Sequence, residues 1–284
     1  MRGPLPQAGP SFLPRYVRYH RGMQHPAKLL LPLAVLVIVG LASWYVLSRP
    51  LPPKEEPVGI TQKGETTEHI VDNGLYYEID AAYPGKTKLQ GEANVAAVAI
   101  MRNFLEEDIA TFKEQSGLNA LTAEDIEIMG LGGDRRFTYA STYHSYTSPH
   151  TVSYVFDIYI DTMGAHPNGL HKTFTFNLES GAALGIWSLF EPSDAYLDIL
   201  PQIARRELPE LIATKAGILV SEVDTDYIVS GTEPTQFNYD DFYLDGDTLV
   251  IIFQPYQVGP WVIGTQELRI PRTELVNILR SEYR

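Results

Sequence analysis

Two histidines and two aspartates near the middle of the chain are the residues best suited to chemistry. His166 and His171 are five positions apart across a turn-forming stretch, and Asp157 and Asp161 precede them. Imidazole and carboxylate groups together can bind zinc or transfer protons in general acid–base catalysis. This stretch offers only two histidines and no third ligand, so we favour a turn held by histidine hydrogen bonds and expect no metal and no cofactor. A cell-wall-acting enzyme that uses His166, Asp157 and Asp161 stays open as the alternative.

Other catalytic signatures are absent from the sequence. It contains no His-Glu-x-x-His, no Gly-x-Ser-x-Gly and no Gly-x4-Gly-Lys-Ser/Thr motif. The glycines at 130–133 precede charged residues instead of a helix, so they do not form a dinucleotide fingerprint. The chain has no cysteine, which excludes disulfides, thiolate metal sites and cysteine nucleophiles. The sequence therefore favours a binding role over catalysis without deciding between them.

A cluster of aspartates marks a hairpin near the C-terminus. Asp240 and Asp241 lie shortly before Asp245 and Asp247, which flank a glycine. A calcium loop would space its ligands over about twelve residues and close with a glutamate, a pattern not found here. We expect these carboxylates to be solvated charges that protect the hairpin.

Hydrophobic periodicity predicts the elements that must position these residues. Three- and four-residue spacing indicates helices, and alternation indicates strands. Ser193 is the expected N-cap of the second predicted helix, and Pro209 is expected to kink or restart that helix. The predicted helices cover 93–116, 193–208 and 272–280; the predicted strands cover 74–83, 136–146, 151–161, 173–178, 236–244, 248–253 and 266–270. Since strands mostly follow strands, the expected fold is α+β, with antiparallel sheets and helices packed on one face.

An apolar segment near the N-terminus separates two regions of opposite charge. Residues 29–47 carry no charge and are long enough to cross a bilayer. The first 49 residues hold six basic and no acidic side chains, whereas the whole chain has a net charge of −13. The positive-inside rule then places residues 1–28 in the cytoplasm and the remainder outside. A cleaved signal peptide is the alternative, which the long basic region before the segment disfavours.

The predicted organisation has five parts. These are a basic cytoplasmic tail (1–28), a single transmembrane helix (29–47), a proline-rich linker (48–65), an N-terminal α+β subdomain (66–147) and a C-terminal α+β subdomain (148–284). The acidic body argues against a nucleic-acid partner, because phosphate binding needs a basic face. The predicted location is therefore the cell membrane, with the C-terminal body on the extracytoplasmic side.

Three stretches of the outer region resemble the RsiV-like ectodomain family of lysozyme-sensing anti-sigma-V factors, also found beside peptidoglycan deacetylase domains. The resemblance spans about 70–280. It is carried by Tyr-Tyr-Glu-Ile at 76–79, by Met-Gly-Ala-His-Pro-Asn at 163–168 with Phe-Thr-Phe-Asn-Leu at 174–178, and by Pro-Tyr-Gln-Val-Gly-Pro-Trp at 255–261. The resemblance implies an α+β pair of subdomains, the second of which contains the histidine turn.

The function expected from these observations is a non-catalytic, membrane-anchored module that binds an envelope-associated protein or glycan. The candidate binding residues lie in the two most specific motifs: His166, Asn168, Tyr256 and Trp261. An acidic body attracts cationic partners, and a lysozyme-like protein is one such partner. A scaffold for envelope assembly is a further alternative.

Overall fold

The computed structural model describes residues 65–284. The predicted tail, transmembrane helix and nearly all of the linker lie outside this range. Within it, no helix combines the length and apolar character that a bilayer crossing requires. All elements described below lie within residues 65–284.

Within residues 65–284, nine strands form two sheets. The larger sheet has six strands in chain order: β1 (Thr66–Asn73), β2 (Tyr77–Lys86), β3 (Phe137–Thr147), β4 (Thr151–Asp161), β5 (Asn168–Asn177) and β6 (Ala183–Leu184). The smaller sheet has three: β7 (Phe242–Asp245), β8 (Thr248–Phe253) and β9 (Gln266–Pro271). Every pairing is antiparallel except β2 with β3, which is parallel.

The parallel pair makes the larger sheet mixed, whereas the sequence predicted antiparallel sheets. The chain between β2 and β3 contains helix α1 (Gly91–Gln115) and the short helix α2 (Ala123–Met129). This long connection carries the chain across one face of the sheet and returns it in the same direction. The α+β class is confirmed, whereas the prediction of antiparallel sheets is wrong for the β2–β3 pair.

Helices cover both sheets, in a layered arrangement. Helix α1 buries Ala97, Met101, Leu105, Ile109 and Phe112 against the larger sheet. Helices α3 (Ala195–Ala216) and α4 (Thr225–Gly231) pack with the smaller sheet in a second core. The other face of the smaller sheet lies on β4, where Tyr243, Val250 and Ile252 meet Val155. The smaller sheet is thus enclosed between α3 and the larger sheet.

The two large cores divide the described chain near residue 184. One contains residues 79–176 and the other residues 186–283. The subdomain boundary predicted at 147/148 falls in the turn between β3 and β4, which are neighbours in one sheet. The division into subdomains stays a prediction.

Helix α3 begins and ends at other residues than predicted. It begins at Ala195 with Asp194 as its N-cap, and the hydroxyl of Ser193, one residue earlier, accepts from Ala195 N–H at 3.4 Å. It also continues through Pro209 to Ala216. Leu208 and Ile212 are buried on either side of the proline, and this apolar contact outweighs the one backbone hydrogen bond that proline removes.

Two other predicted elements near the C-terminus are wrong. Residues 236–239 form a short 3₁₀ helix, and the strand begins at Phe242. The segment predicted as a helix over 272–280 contains a 3₁₀ turn at 272–274 and then a bridge between Leu279 and Phe190. In both segments, burial of large side chains in the second core overrides local periodicity.

Asp241 departs from the expectation of solvated charge at this hairpin, whereas Asp247 fits it with 93% of its side chain exposed. Asp241 accepts hydrogen bonds from Lys172 Nζ, Thr173 N–H and Gln254 Nε2. Asp245 pairs with Arg269, and Asp247 with Arg272. The carboxylate of Asp241 thus joins the start of β7 to β5.

Candidate functional site

Two loops from different parts of the chain bring three of the predicted binding residues together. His166 lies in the turn between β4 and β5, and Trp261 in the loop between β8 and β9. Their rings stack with centroids 4.0 Å apart and an interplanar angle of 25°. Tyr256 Oη lies 3.4 Å from His166 Nε2. We call His166, Tyr256 and Trp261 the aromatic platform.

The turn that carries His166 is fixed by its own backbone and side chains. Asp161 Oδ1 accepts a hydrogen bond from Met163 N–H at 2.8 Å. Met163 has φ 59°, a left-handed conformation that residues other than glycine adopt rarely. His166 Nδ1 lies 3.1 Å from the Pro167 carbonyl oxygen. The chain therefore reverses sharply before His166, which places the imidazole at the end of the hairpin.

Gln257 holds the second loop in place. Its Nε2 donates to the carbonyls of Gly231 and Asn238 at 3.1 Å each, and its Oε1 accepts from Gln254 N–H at 3.0 Å. A Cβ at Gly231 would lie 1.8 Å from the Gln257 carbonyl oxygen, so this close approach requires glycine. The adjacent Tyr256 has φ 69°. Three hydrogen bonds of the Gln257 side chain thus hold the loop next to Tyr256.

The aromatic platform is accessible to a partner. Tyr256 is 55% exposed and the neighbouring Val262 is 81% exposed. Within residues 65–284 the His166 ring contacts Tyr256, Trp261 and the Pro167 carbonyl, and no carboxylate is among these contacts. Such a surface can stack on a sugar ring or a planar cationic side chain. It does not have the paired acid and base that proton transfer would use.

The fourth predicted residue, Asn168, stands apart from the aromatic platform. It is the first residue of β5, is exposed, and lies opposite Ile160 of β4. Among residues 65–284 its side chain makes no hydrogen bond with any of the other three. The structure therefore brings His166, Tyr256 and Trp261 together, whereas Asn168 lies on β5 outside this group.

The alternative cluster of His166, Asp157 and Asp161 does not form. Asp157 instead lies between two other histidines: His171 Nδ1 is 2.7 Å from its Oδ1, and His144 Nε2 is 3.4 Å from its Oδ2. The His171 contact is close but not aligned as a hydrogen bond. We call His144, Asp157 and His171 the His–Asp–His cluster.

The strand register creates the His–Asp–His cluster. Asp157 lies directly opposite His171 on β5, and on its other side β3 presents His144 opposite Val155. The side-chain amide of Gln254 pairs with the main chain of His171: its Oε1 accepts from the His171 N–H, and its Nε2 donates to the His171 carbonyl. His144 was missed from the sequence because its closeness to Asp157 depends on the β3–β4 pairing. Within residues 65–284, these three included, no group of three or more His, Asp or Glu side chains is arranged to hold a metal ion.

Tyrosine hydroxyls near the His–Asp–His cluster are held in their neutral form. Burial raises the pKa of Tyr146, and the nearby Glu267 and Asp157 carboxylates raise it further. Burial likewise raises the pKa of Tyr243, which donates a hydrogen bond to Glu267. The two rings lie 4.3 Å apart between the sheets. These phenols therefore act as hydrogen-bond donors at neutral pH.

Comparison with known proteins identifies one domain in this body. Residues 188–273 match the family described as "Protein of unknown function (DUF3298)", so a DUF3298 domain is present. It includes α3, α4, the smaller sheet, Tyr256 and Trp261, whereas His166 and the His–Asp–His cluster lie before it.

Two named proteins have similar sequences. The chain is 31% identical over 133 residues to peptidoglycan-N-acetylmuramic acid deacetylase PdaC of Bacillus subtilis, a match that covers 47% of this chain and 27% of PdaC. It is 25% identical over 250 residues to esterase Rv3036c of Mycobacterium tuberculosis, covering 87% of this chain and 97% of that protein. The chain thus matches about a quarter of the first protein and nearly all of the second.

Two solved structures share the fold. A DUF3298 family protein from Pseudomonas aeruginosa superposes with a TM-score of 0.51 at 14% identity, covering 77% of this chain and 96% of that one. A family member from Bacteroides fragilis has a TM-score of 0.50 at 15% identity, with coverages of 77% and 94%. At this identity the likeness establishes the fold alone.

Proposed function

We propose that this protein is a non-catalytic, RsiV-like binding module, anchored by residues 29–47 with its folded body outside the membrane. Its ligand is an envelope-associated protein or glycan, and the aromatic platform is the contact surface. The observation that carries the proposal is the stacking of His166 on Trp261 beside the hydroxyl of Tyr256. Two loops distant in sequence meet there, with Tyr256 exposed and the rings of His166 and Trp261 half-buried.

The chemistry of the aromatic platform supports binding better than catalysis. Aromatic side chains bring large contact area with few rotatable bonds, and the tyrosine hydroxyl adds a hydrogen bond at the rim. The loops are also held before any partner arrives, by Gln257 on one side and Asp161 on the other. Less ordering is then required on binding, which favours affinity.

The charge of the chain favours a cationic protein as partner. The acidic side chains all follow residue 49, and the net charge of the whole chain is −13. Such a field accelerates encounter with a basic protein such as a lysozyme and weakens as salt rises. A cell-wall glycan is the other ligand that an aromatic surface fits.

The test measures binding by the full-length protein reconstituted in lipid nanodiscs. The probes are a basic lysozyme and, separately, a soluble peptidoglycan fragment, each titrated at low and at physiological salt. We expect saturable binding of one probe, weakened at least tenfold by Trp261→Ala and unchanged by Phe237→Ala, an exposed aromatic control. Equal affinity of the Trp261→Ala protein, or no binding of either probe, contradicts the proposal.

A second candidate function is hydrolysis at the His–Asp–His cluster, and the specific observation for it is the carboxylate of Asp157 between two imidazoles. A carboxylate-held imidazole can take a proton from water as that water attacks an ester carbonyl. The name of the mycobacterial relative, an esterase, makes this reaction worth testing here. A chromogenic acetate ester is the probe, and turnover lost in both His171→Ala and Asp157→Asn but kept in Trp261→Ala would favour it. Turnover that is absent, or equal in all variants, would dismiss it.

A further inference from the structure

Strand β9 is an edge of the smaller sheet, and two of its residues turn their backbone groups away from the sheet. The Arg272 N–H donates to the Asp247 carbonyl at 2.9 Å, and the β8–β9 register is continuous. Hydrogen-bonded and non-bonded pairs alternate along an antiparallel ladder. The N–H and C=O groups of Glu267 and Arg269 therefore face outward. Within residues 65–284 these four groups have no hydrogen-bond partner.

The pairing on the other side of β8 confirms this orientation. Ile252 N–H donates to the Asp241 carbonyl at 2.8 Å, so Ile252 faces β7 and not its β9 neighbour Glu267. Pro271 is in the same outward-facing set as Glu267 and Arg269, and a proline there loses no ladder bond. The open part of the edge is thus limited to two residues before the proline.

A slot runs along this edge. Its cavity volume is about 810 Å³. One wall is a single face of α3, with residues at spacings of three and four positions, and His171 of β5 contributes from the side of the larger sheet. The residues on the helical wall are Glu207, Glu210, Leu211, Thr214 and Lys215. β9 is an edge strand that lies between α3 and the larger sheet. The slot beside its free edge is therefore where a fourth strand of the smaller sheet would lie.

One carboxylate in the slot has no charged partner. Lys215 Nζ donates to the Thr265 carbonyl, and Arg269 pairs with Asp245. Glu207 pairs with Arg206, and Glu267 accepts from the Tyr243 hydroxyl at 3.2 Å and lies 3.9 Å from Arg269 Nη1. Among the described residues that line the slot, Glu210 on the α3 wall is thus the carboxylate left for a positively charged guest.

We propose that this slot binds an extended peptide segment with basic side chains, which adds to the smaller sheet as a fourth strand beside β9. Backbone pairing with Glu267 and Arg269 supplies affinity, and lysine or arginine side chains at alternate positions, which share one face of the added strand, reach Glu210 on the α3 wall. This site is separate from the aromatic platform, and the inference does not rest on the proposed function.

The test uses the full-length protein and a short peptide of alternating valine and lysine, acetylated and amidated. The matched probe is the same peptide methylated on alternate backbone nitrogens, which keeps the charge and removes strand pairing. We expect saturable binding of the first peptide and at least tenfold weaker binding of the second. Amide hydrogen exchange at Glu267 and Arg269 is expected to slow at least tenfold when the first peptide is bound.

Variants separate backbone pairing from charge. Glu267→Pro removes an outward N–H and is expected to lower affinity at least tenfold, whereas Glu210→Gln lowers it about threefold, a loss of about 0.7 kcal/mol. Phe237→Ala, at an exposed position outside the slot, serves as the control and leaves affinity unchanged. Trp261→Ala is also expected to leave the affinity for the peptide unchanged. Failure of the slot proposal is therefore distinguishable from failure of the proposed function.

Several results would overturn the inference. They are equal binding of the methylated peptide, binding with unchanged exchange at Glu267 and Arg269, and no saturable binding. A concentration-dependent dimer that Glu267→Pro abolishes would also overturn it, because the slot would then belong to a second copy of the chain.

Discussion

The aromatic platform and the His–Asp–His cluster are built in different ways. The aromatic platform stands on two loops, and its geometry depends on Gln257, on Gly231 and on two residues in left-handed conformation. The His–Asp–His cluster stands on three neighbouring strands, and the ladder alone places its members on one face. A cluster held by paired strands therefore tolerates local changes, whereas a surface held by loops depends on a few single contacts.

The largest expected effect comes from adding one methyl group under the loop of the aromatic platform. In Gly231→Ala the new Cβ meets the Gln257 carbonyl, so the loop must move. We expect a loss of about 1–3 kcal/mol in unfolding free energy, measured by urea denaturation, and loss of the Trp261 contact, measured by indole fluorescence. Gly246→Ala is the control for substitution alone, since a Cβ there meets no atom within 4 Å. Gly246→Ala introduces some strain of its own, because Gly246 has a left-handed φ of 54°. A Gly231→Ala protein that is no less stable than Gly246→Ala would show that the loop does not depend on the close approach at Gly231.

Removal of the amide that holds the same loop is expected to have the next largest effect. Gln257→Met keeps the length of the side chain but leaves the Gly231 and Asn238 carbonyls and the Gln254 N–H without their partner. The expected loss is about 1–2 kcal/mol, because part-buried polar groups become unsatisfied. Hydrogen exchange should accelerate in 254–263 and stay unchanged in β4. Acceleration spread evenly over both regions would contradict the separation of the two sites.

Neutralising the centre of the His–Asp–His cluster should have a smaller effect. Asp157→Asn keeps the shape of the side chain and removes the anion between His144 and His171, so stability falls by at most about 1 kcal/mol. The ring proton resonances of these two histidines should shift by NMR, and those of His166 should not. A shift at His166 would show that the two sites are coupled.

The smallest expected effect is a pH-dependent one in β1, far from both sites in the sheet order. The Lys113 ammonium hydrogen-bonds Asp72 and holds the pKa of that carboxyl below its usual value, with a further contribution from the Tyr77 hydroxyl and against the effect of burial. The stabilisation is present at neutral pH and is lost as pH falls through the lowered pKa of the folded state. Asp72→Asn should therefore be less stable than wild type at pH 7, by less than about 1 kcal/mol because the pair is partly exposed, and equal to it near pH 2. A stability difference that is larger in acid would have the wrong sign.

The sequence predicted elements well where periodicity and burial agree. Helix α1 is nearly as expected because it has one continuous buried face, and strand β4 is as expected because its large apolar residues recur at every second position. Gly117, just after the C-cap Ser116, has a left-handed φ of 64°, which is typical of the residue that ends a helix. Strand β1 was missed because its residues are mostly exposed, so alternation of apolar residues is weak there.

The candidate sites were only partly predictable, for a physical reason. The motifs around His166 and Tyr256 indicated which residues to examine, yet their meeting depends on how α3 and the smaller sheet pack. His144 carries no local signal, since its partner is thirteen positions away on another strand. The parallel pairing of β2 and β3 likewise follows from the packing of α1, not from either strand.

That parallel pairing has a consequence for how the protein reaches its folded state. The residues of β2 meet those of β3 only after the whole chain from Lys86 to Phe137 has closed into a loop, whereas β3, β4 and β5 follow one another through short turns. Closure of a long loop costs entropy before any contact is gained, and topologies rich in such contacts fold slowly. We therefore expect the β3–β5 meander to acquire protection first in pulse-labelled refolding, and the β1–β2 hairpin to join it later, once α1 has docked.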